Sequence, residues 1–167
     1  MDAEIKLDLK NIEEVIKFIS KKTYVAVGVT EENNLRDDTS QTNSEIAMLH
    51  EFGGNIVDYS DEGEPVIIEL PERPIMRYAL PKYLPKQIKK FKSTQGSLDP
   101  VSDLGEFIGE EAVGVVQDNF AQQGMPMKWQ PISNYTIEKR IEKGNNSTKV
   151  LDDTGQLKSA FGYEVVR

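Results

Sequence analysis

Apolar residues near the start of the chain recur at every second position, which is the period of a β-strand. Ile5, Leu7 and Leu9 alternate with charged residues and predict a first strand. Residues 12–19 then place their apolar side chains on one side of a helix, which predicts an amphipathic helix. The β-branched and aromatic run at 23–29 predicts a second strand that is buried.

Residues 31–41 contain almost no apolar side chains, and this composition predicts a mobile loop. Thr42 and Glu45 follow with the spacing of a capping box, which predicts the start of a helix. That helix should end at Gly53 and Gly54, because glycine readily adopts the left-handed backbone conformation found after a helix.

A polar, turn-rich stretch follows at 55–64, and we interpret it as an insert. Alternating apolar residues at 66–70 predict a strand that leads into a proline-bounded turn. Pro74 fits the first turn of a further helix. Pro81 and Pro85 should break or kink that helix, since proline lacks an N–H and clashes with the preceding turn.

The clearest helical pattern follows Asp99, a candidate N-cap, and Pro100, which fits the first helical position. Its apolar residues recur at spacings of three and four and form one stripe: Leu104, Phe107, Ile108, Ala112, Val115, Val116 and Phe120. Gly105, Gly109 and Gly114 each lower the helix propensity by about 1 kcal/mol relative to alanine. Three such glycines predict close backbone packing against this helix, either within the monomer or against a neighbouring molecule.

The C-terminal region predicts four more short elements. Residues 133–142 form a helical pattern, and residues 149–151 a short extended piece. Asp153 or Thr154 is a candidate cap for a last helical turn. Residues 163–166 predict a terminal strand.

These elements predict a single α+β domain over residues 1–167, with a mostly antiparallel sheet packed against one long and several short helices. The length of 167 residues and the 38% hydrophobic content suit one globular domain. No cysteine is present, which excludes disulfides and a thiolate nucleophile. The N-terminus lacks the pattern of a signal peptide, and no run of about 18 apolar residues predicts a membrane span. Synthesis in the cytoplasm is the resulting expectation.

The formal net charge of −8 argues against a protein that binds duplex DNA, because binding phosphates needs clustered lysine and arginine. We therefore expect no sequence-specific nucleic-acid partner. One basic stretch, at 82–92, contains five lysines. The favoured interpretation is the solvated face of a helix, and the alternative is a contact with an acidic partner subunit or a DNA end.

Chemical motifs are scarce. His50 is the only histidine, and it lacks the second histidine of the zinc motif HEXXH. We expect it to lie on a helix face, hydrogen-bonded near the glycine turn, rather than to act as a base or a ligand. The acidic segment at 58–64 lacks the ligand spacing of a calcium loop. Asp152 and Asp153 are adjacent, so their carboxylates should diverge. The sequence therefore predicts no catalytic residue, no metal site and no cofactor.

Trp129 is the only tryptophan and lies between Pro126 and Pro131. Tryptophan is enriched at interface hot spots, so Trp129, Pro131 and Ile132 are candidates for contact with a partner. The alternative is that Trp129 covers the open end of the core, and the two interpretations are compatible.

Four short motifs stand in a fixed order: Ser44-Glu-Ile-Ala-Met-Leu-His-Glu-Phe-Gly-Gly54, Leu70-Pro-Glu-Arg-Pro-Ile-Met-Arg77, Trp129-Gln-Pro-Ile-Ser133 and Asp153-Thr-Gly-Gln-Leu157. A Val-Gly-Val sequence at 27–29 precedes them. In this order and at these separations, the chain resembles the tail-completion and virion-morphogenesis proteins of tailed bacteriophages, which are small structural proteins of the head–tail junction.

This resemblance implies an antiparallel α+β fold, no catalysis, and assembly into a homo-oligomeric ring, a hexamer being one candidate stoichiometry. It implies partners on the connector or portal side and in the tail tube or tail terminator, and a location in the neck of the virion. The motif residues that should have structural roles are His50, Glu51, Phe52, Gly53, Arg73, Pro74, Asp153, Thr154 and Gly155. Two other classes compete with this one: a phage-encoded acidic protein that binds a basic host or viral partner, and a small hydrolase.

Overall fold

The computed structural model describes residues 24–59, 63–94 and 102–166. The first strand and the amphipathic helix expected from the sequence lie outside these residues, as do the expected N-cap Asp99 and Pro100. None of the helices in the described part of the chain is both long and apolar enough to cross a bilayer.

Strands and helices follow one another in an irregular order along the described residues. They are β1 Tyr24–Val29, α1 Asn43–Phe52, β2 Gly54–Tyr59, β3 Pro65–Leu70, α2 Ala79–Thr94, α3 Ser102–Ala121, α4 Asn134–Glu142, α5 Gln156–Ser159 and β4 Phe161–Val166, with a short 3-10 helix at Glu31–Asn33. The expected α+β class is confirmed, with one long helix and several shorter ones.

The four described strands form two separate antiparallel pairs rather than one sheet. In the first pair, Val29 of β1 lies opposite Phe161 of β4. In the second pair, Gly54 of β2 lies opposite Leu70 of β3. We call the hairpin formed by β2 and β3 the arm.

The β1–β4 pair packs against α3 where two glycines allow close approach. A Cβ atom at Gly105 would lie 3.0 Å from Val165, and one at Gly109 would lie 2.1 Å from the ring of Tyr163. The close packing predicted from the glycines is confirmed at these two positions. At Gly114 a Cβ would meet nothing within 4 Å among the described residues, so packing by a neighbouring molecule at this position stays a prediction.

Side chains from most of the described elements meet in one core. Its buried members are Ala47, Ile75, Val116, Phe120, Trp129, Val150, Leu157 and Phe161. Phe120 is central, because its ring meets that of Trp129 edge-on at 5.6 Å and that of Phe161 at 5.8 Å between centroids. Such aromatic pairs add to the free energy gained from burying their surface.

Helix α1 begins and ends where the sequence predicts. Thr42 accepts a hydrogen bond from the N–H of Glu45, whose carboxylate accepts one from the N–H of Thr42, which completes the capping box. Gly53 follows the helix with φ of 68° and ψ of −179°. A Cβ there would lie 2.9 Å from the carbonyl oxygen of Leu70, so glycine is needed for both conformation and space.

Three expectations about the middle of the chain differ from the structure. Residues 55–59 of the polar stretch belong to β2 and are not turns. Pro74 precedes α2 rather than lying in its first turn. Pro81 and Pro85 do not break α2, because Pro81 lies in the first turn and Pro85 removes a single N–H, the one that would reach the carbonyl of Pro81. Whether they kink the helix stays a prediction.

Three further expectations differ from the structure nearer the two ends. Residues 149–151 form a turn, with Leu151 at φ of 55°, rather than an extended piece. Neither Asp153 nor Thr154 caps α5, whose N-cap is Gly155. Strand β1 is only half-buried, and Tyr24 at its start is 63% exposed. Whether the loop at 31–41 is mobile stays a prediction.

Candidate functional site

Residues 73–77 lie between the arm and α2, and Glu51 holds them from α1. The carboxylate of Glu51 accepts hydrogen bonds from three consecutive backbone N–H groups, those of Ile75 at 2.6 Å, Met76 at 2.9 Å and Arg77 at 2.7 Å. Glu51 is only 6% exposed. Hydrogen bonds to a charged group contribute about 1.5–3 kcal/mol each, so this carboxylate is a major determinant of the local backbone.

Two other elements hold the same residues from the opposite side. The side-chain amide of Asn119 in α3 donates to the carbonyls of Pro74 at 3.0 Å and Ile75 at 2.7 Å. The indole N–H of Trp129 also donates to the carbonyl of Pro74, at 3.1 Å. We call residues 73–77 the tethered segment, because side chains from three parts of the chain bind its backbone.

Arg73 begins the tethered segment with a buried charge. Its N–H donates to the carbonyl of His50 at 2.6 Å, and its Nε donates to the carbonyl of Gln130 at 3.3 Å. Arg73 is 6% exposed, and no carboxylate in the described residues lies within 4.0 Å of its guanidinium. Burial lowers the pKa of Arg73, and the charge of Arg140 lowers it further.

His50 lies near the charged guanidinium of Arg73. Burial lowers the pKa of His50 from its ordinary value of 6.5 to about 4, and the charge of Arg73 adds to the effect. Its Nδ1 is buried and has no hydrogen-bond partner in the described residues, so the expected hydrogen bond near the glycine turn is wrong for this atom. The imidazole is therefore neutral at physiological pH.

Trp129 is 6% exposed and belongs to the core, as the second interpretation of the sequence expected. Its ring is not available to a partner in this structure. Ile132 is half-buried against the same core and Pro131 is exposed, so a contact by these two residues stays a prediction.

The fourth motif lies near α4 rather than at the tethered segment. Asp153 accepts a hydrogen bond from the side-chain amide of Asn145 at 2.9 Å, and its carboxylate lies 3.8 Å from Nε of Arg140. Asp152 instead accepts a hydrogen bond from the hydroxyl of Ser147 at 2.9 Å. The two adjacent carboxylates thus have different partners, and whether they diverge stays a prediction.

The described residues bring no three metal-binding side chains together. The motifs instead assemble a scaffold in which polar side chains bind backbone groups. Asn119 and Arg140 are the members of this scaffold that the motifs did not indicate. Both are buried polar side chains on helices, and a polar residue at a position of the apolar helix face was the available signal.

An apolar groove lies beside the tethered segment. It has a volume of about 360 Å³, and its apolar lining comes from Val29, Ala47, Met48, Phe52, Met76 and Phe161. Met48 and Phe52 are 65% and 60% exposed. Arg77 is at the groove as well, with its guanidinium 5.3 Å from the centroid of the Phe52 ring.

The arm is apolar and exposed along both of its faces. Val57 and Ile67, which lie opposite each other, are 56% and 70% exposed. Val66 and Ile68 are 45% and 38% exposed. Among the described residues, the extensive contacts of β2 and β3 are with each other. A two-stranded hairpin alone is marginally stable in water, so a surface of this kind suits contact with another molecule.

Comparisons of the chain with protein-family models, with curated proteins and with solved structures found no match.

Proposed function

We propose that this protein is a structural subunit of the head–tail junction of a tailed bacteriophage, where copies assemble into a ring between the connector and the tail. The sequence motifs carry the resemblance to such proteins. The proposal assigns the chain no catalytic step, and it places the protein in the neck of the virion.

The observation that carries the proposal is that residues of different motifs form hydrogen bonds with one another. Glu51 from the first motif binds the backbone of the second, and Trp129 from the third binds the same segment at Pro74. Motifs of this kind would be shared among proteins that need the same scaffold.

The exposed surfaces give a second line of support. The scaffold fixes both ends of the tethered segment, which follows the arm in the chain and lines the groove through Met76 and Arg77. A ring subunit needs lateral surfaces that other molecules cover, and both of these surfaces are apolar and exposed.

The direct test is deletion of the gene from the phage that encodes the protein. Electron microscopy of the lysate should show filled heads and separate tails, and the wild-type gene supplied in trans should restore joined particles. Mass spectrometry of purified wild-type virions should detect the protein. Joined, infectious particles that lack the protein would contradict the proposal.

The second candidate is an acidic phage protein that binds a basic host or viral partner. The sequence of the arm favours it, because residues 54–70 include five acidic and no basic residues. In that case the deletion would leave particles joined and reduce growth only in the host that supplies the partner.

A further inference from the structure

A second cavity lies among the loop before α1, α1 itself, α4 and the fourth motif. It has a volume of about 200 Å³ and shares none of its described lining residues with the groove. Its polar lining comes from Arg36, His50, Arg140, Asp153 and Thr154. A water molecule takes up about 30 Å³ of liquid, so the cavity has room for an anion of several non-hydrogen atoms.

Arg36 contributes a buried charge that is already balanced. Its side chain is 9% exposed. Its Nε and Nη2 donate to the two carboxylate oxygens of Asp38 at 2.9 and 2.7 Å, and its Nη1 donates to the side-chain oxygen of Asn43 at 2.8 Å. This two-pronged ion pair fixes one wall of the cavity and leaves no excess charge there.

Arg140 has N–H groups that no described acceptor uses. Its side chain is 9% exposed, and its Nη1 donates to the carbonyls of Ser147 at 3.1 Å and Lys149 at 2.7 Å. Its Nε lies 3.8 Å from the carboxylate of Asp153, which is too far for a hydrogen bond. Its Nη2 has no acceptor among the described residues and is not one of their fully buried unpartnered atoms. An accessible donor group therefore belongs to a residue that lines the cavity.

Arg73 leaves this part of the molecule with an unbalanced positive charge. Its backbone N–H donates to the carbonyl of His50, which lines the cavity. Burial lowers the pKa of Arg73, and the charge of Arg140 lowers it further, so the two guanidiniums repel each other. Arg140 has Asp153 as its partner, whereas no carboxylate in the described residues lies within 4.0 Å of the Arg73 guanidinium. Buried charges in proteins are normally paired, so a counter-ion is missing here.

His50 and Thr154 are donors that add no charge to the cavity. The imidazole of His50 is neutral at physiological pH, and its Nε2 has no acceptor in the described part of the chain and is not fully buried there. The hydroxyl oxygen of Thr154 accepts a hydrogen bond from the N–H of Gln156 at 3.4 Å, which leaves its proton free to donate. The cavity is therefore lined by guanidinium, imidazole and hydroxyl donors.

We propose that this cavity binds a small oxyanion, a phosphate or a carboxylate group, on the accessible N–H groups of Arg140, with further hydrogen bonds from His50 and Thr154. Guanidinium groups suit this role, because their N–H groups match the spacing of oxygens in phosphate and carboxylate. The anion supplies the missing counter-charge and links α4 to α1. The inference goes beyond the proposed function and does not depend on it, so either can fail alone.

The single histidine of the chain provides the test, because its imidazole C–H signals in NMR can only come from His50. Sodium phosphate, sulfate and acetate are titrated separately into the wild-type protein at neutral pH, with the ionic strength held constant by sodium chloride. The His50 signals should shift and saturate with an oxyanion. At about ten times the Kd, the melting temperature should rise by roughly 3–6 °C.

The order of affinities identifies the ligand. Tighter binding of phosphate than of acetate would assign the cavity to phosphate, and the reverse order would assign it to a carboxylate. A signal that follows ionic strength alone, or that does not saturate with any of the three oxyanions, would overturn the proposal. The deletion experiment would still decide the proposed function.

The first variant is Arg140→Gln, which should weaken oxyanion binding tenfold or more, because hydrogen bonds to charged groups contribute about 1.5–3 kcal/mol each. Lys139→Gln is the matched control: it removes the same charge from the neighbouring residue, whose side chain is 51% exposed. Equal weakening by the two variants would overturn the site. Arg140 also binds two carbonyls, so a second pair of variants leaves this residue in place.

The second pair is Asp153→Asn and Asp152→Asn. Asp153 lines the cavity, and removing its negative charge should strengthen oxyanion binding roughly threefold or more. Asp152→Asn changes the net charge equally, but the carboxylate of Asp152 accepts a hydrogen bond from Ser147 and does not line this cavity in the described residues. Equal gains in the two variants, or weaker binding by Asp153→Asn, would overturn the proposal.

Discussion

The tethered segment and the arm are neighbours in the sequence, separated only by residues 71 and 72. They differ in what their backbone groups and apolar side chains contact. In the tethered segment, backbone groups bind Glu51, Asn119 and Trp129 within the chain. In the arm, the backbone pairs with itself and apolar side chains remain exposed. The comparison separates the residues that build the subunit from the residues that remain for contact with other molecules.

The difference also explains why motif residues are poor indicators of a contact surface here. Trp129 is of the residue type that is enriched at interface hot spots. In the structure, however, its indole N–H donates a hydrogen bond to the carbonyl of Pro74. Ile67 belongs to no motif and is 70% exposed. Mutations in the two regions should therefore separate stability from association.

The largest effect is expected for Trp129→Ala. Removing a large buried side chain from a core typically costs about 3–5 kcal/mol, and the carbonyl of Pro74 loses one of its two donors as well. Chemical denaturation should show this loss of unfolding free energy. The matched control is Tyr135→Ala, which truncates an exposed aromatic residue and should change stability by less than about 0.5 kcal/mol. A Trp129→Ala protein with near-wild-type stability would break the distinction between the two regions.

The second prediction concerns pH and His50. The folded chain holds the pKa of His50 at about 4, below the ordinary 6.5, so the unfolded chain binds more protons between these values. Unfolding free energy should therefore fall as pH drops from about 6.5 to 4, and this contribution should level off below 4. The difference of about 2.5 pKa units corresponds to about 3 kcal/mol.

The control for His50 is the variant His50→Gln, which cannot titrate in this range. The carboxyls of Asp38 and Glu45 also have lowered pKa values, Asp38 through its hydrogen bond with Arg36 and Glu45 through those with Thr42. They make both proteins less stable in acid, so the difference between the two pH profiles is the measured quantity. Parallel profiles for wild type and variant would contradict the assignment.

The third prediction tests the carboxylate that holds the tethered segment. Glu51→Gln keeps the shape of the side chain but replaces one acceptor oxygen with an NH2 group. That group cannot accept from the N–H of Arg77 or of Ile75 and Met76, whichever side it faces. Unfolding free energy should fall by about 2 kcal/mol. Glu69→Gln in the arm is the matched control and should have little effect on a dilute sample.

Patterns in the sequence predicted much of the fold because local chemistry decides those elements. The capping box at Thr42 and Glu45, the stripe of α3 and the helical pattern at 133–142 depend on nearby residues alone. Strand β2 was missed because it is stabilised by pairing with β3, which a local pattern does not show. The polar residues Asn55 and Asp58 also interrupt the alternation of apolar side chains along it.

The candidate site was less predictable, since its contacts join residues that are far apart in the sequence. The motifs include both Glu51 and Pro74. Nothing local shows that the carboxylate of one motif accepts hydrogen bonds from N–H groups 24 to 26 positions away. The exposure of the arm was equally hidden, because an alternating apolar strand predicts a buried face whether or not the chain itself supplies the cover.

The smallest effect on stability, and the sharpest contrast between the regions, is expected for Ile67→Ser. Ile67 is 70% exposed, so the dilute protein should lose less than about 0.5 kcal/mol of unfolding free energy. Association into the proposed ring should nevertheless weaken, since the apolar surface that the arm offers to other molecules is reduced. Sedimentation across a range of concentrations, together with denaturation of a dilute sample, measures the two effects separately.

Thr136→Ser, a mild change on the half-buried side of α4, serves as a control for association. A variant that unfolds more easily while associating normally would place Ile67 with the residues that build the subunit, and the contrast between arm and tethered segment would fail.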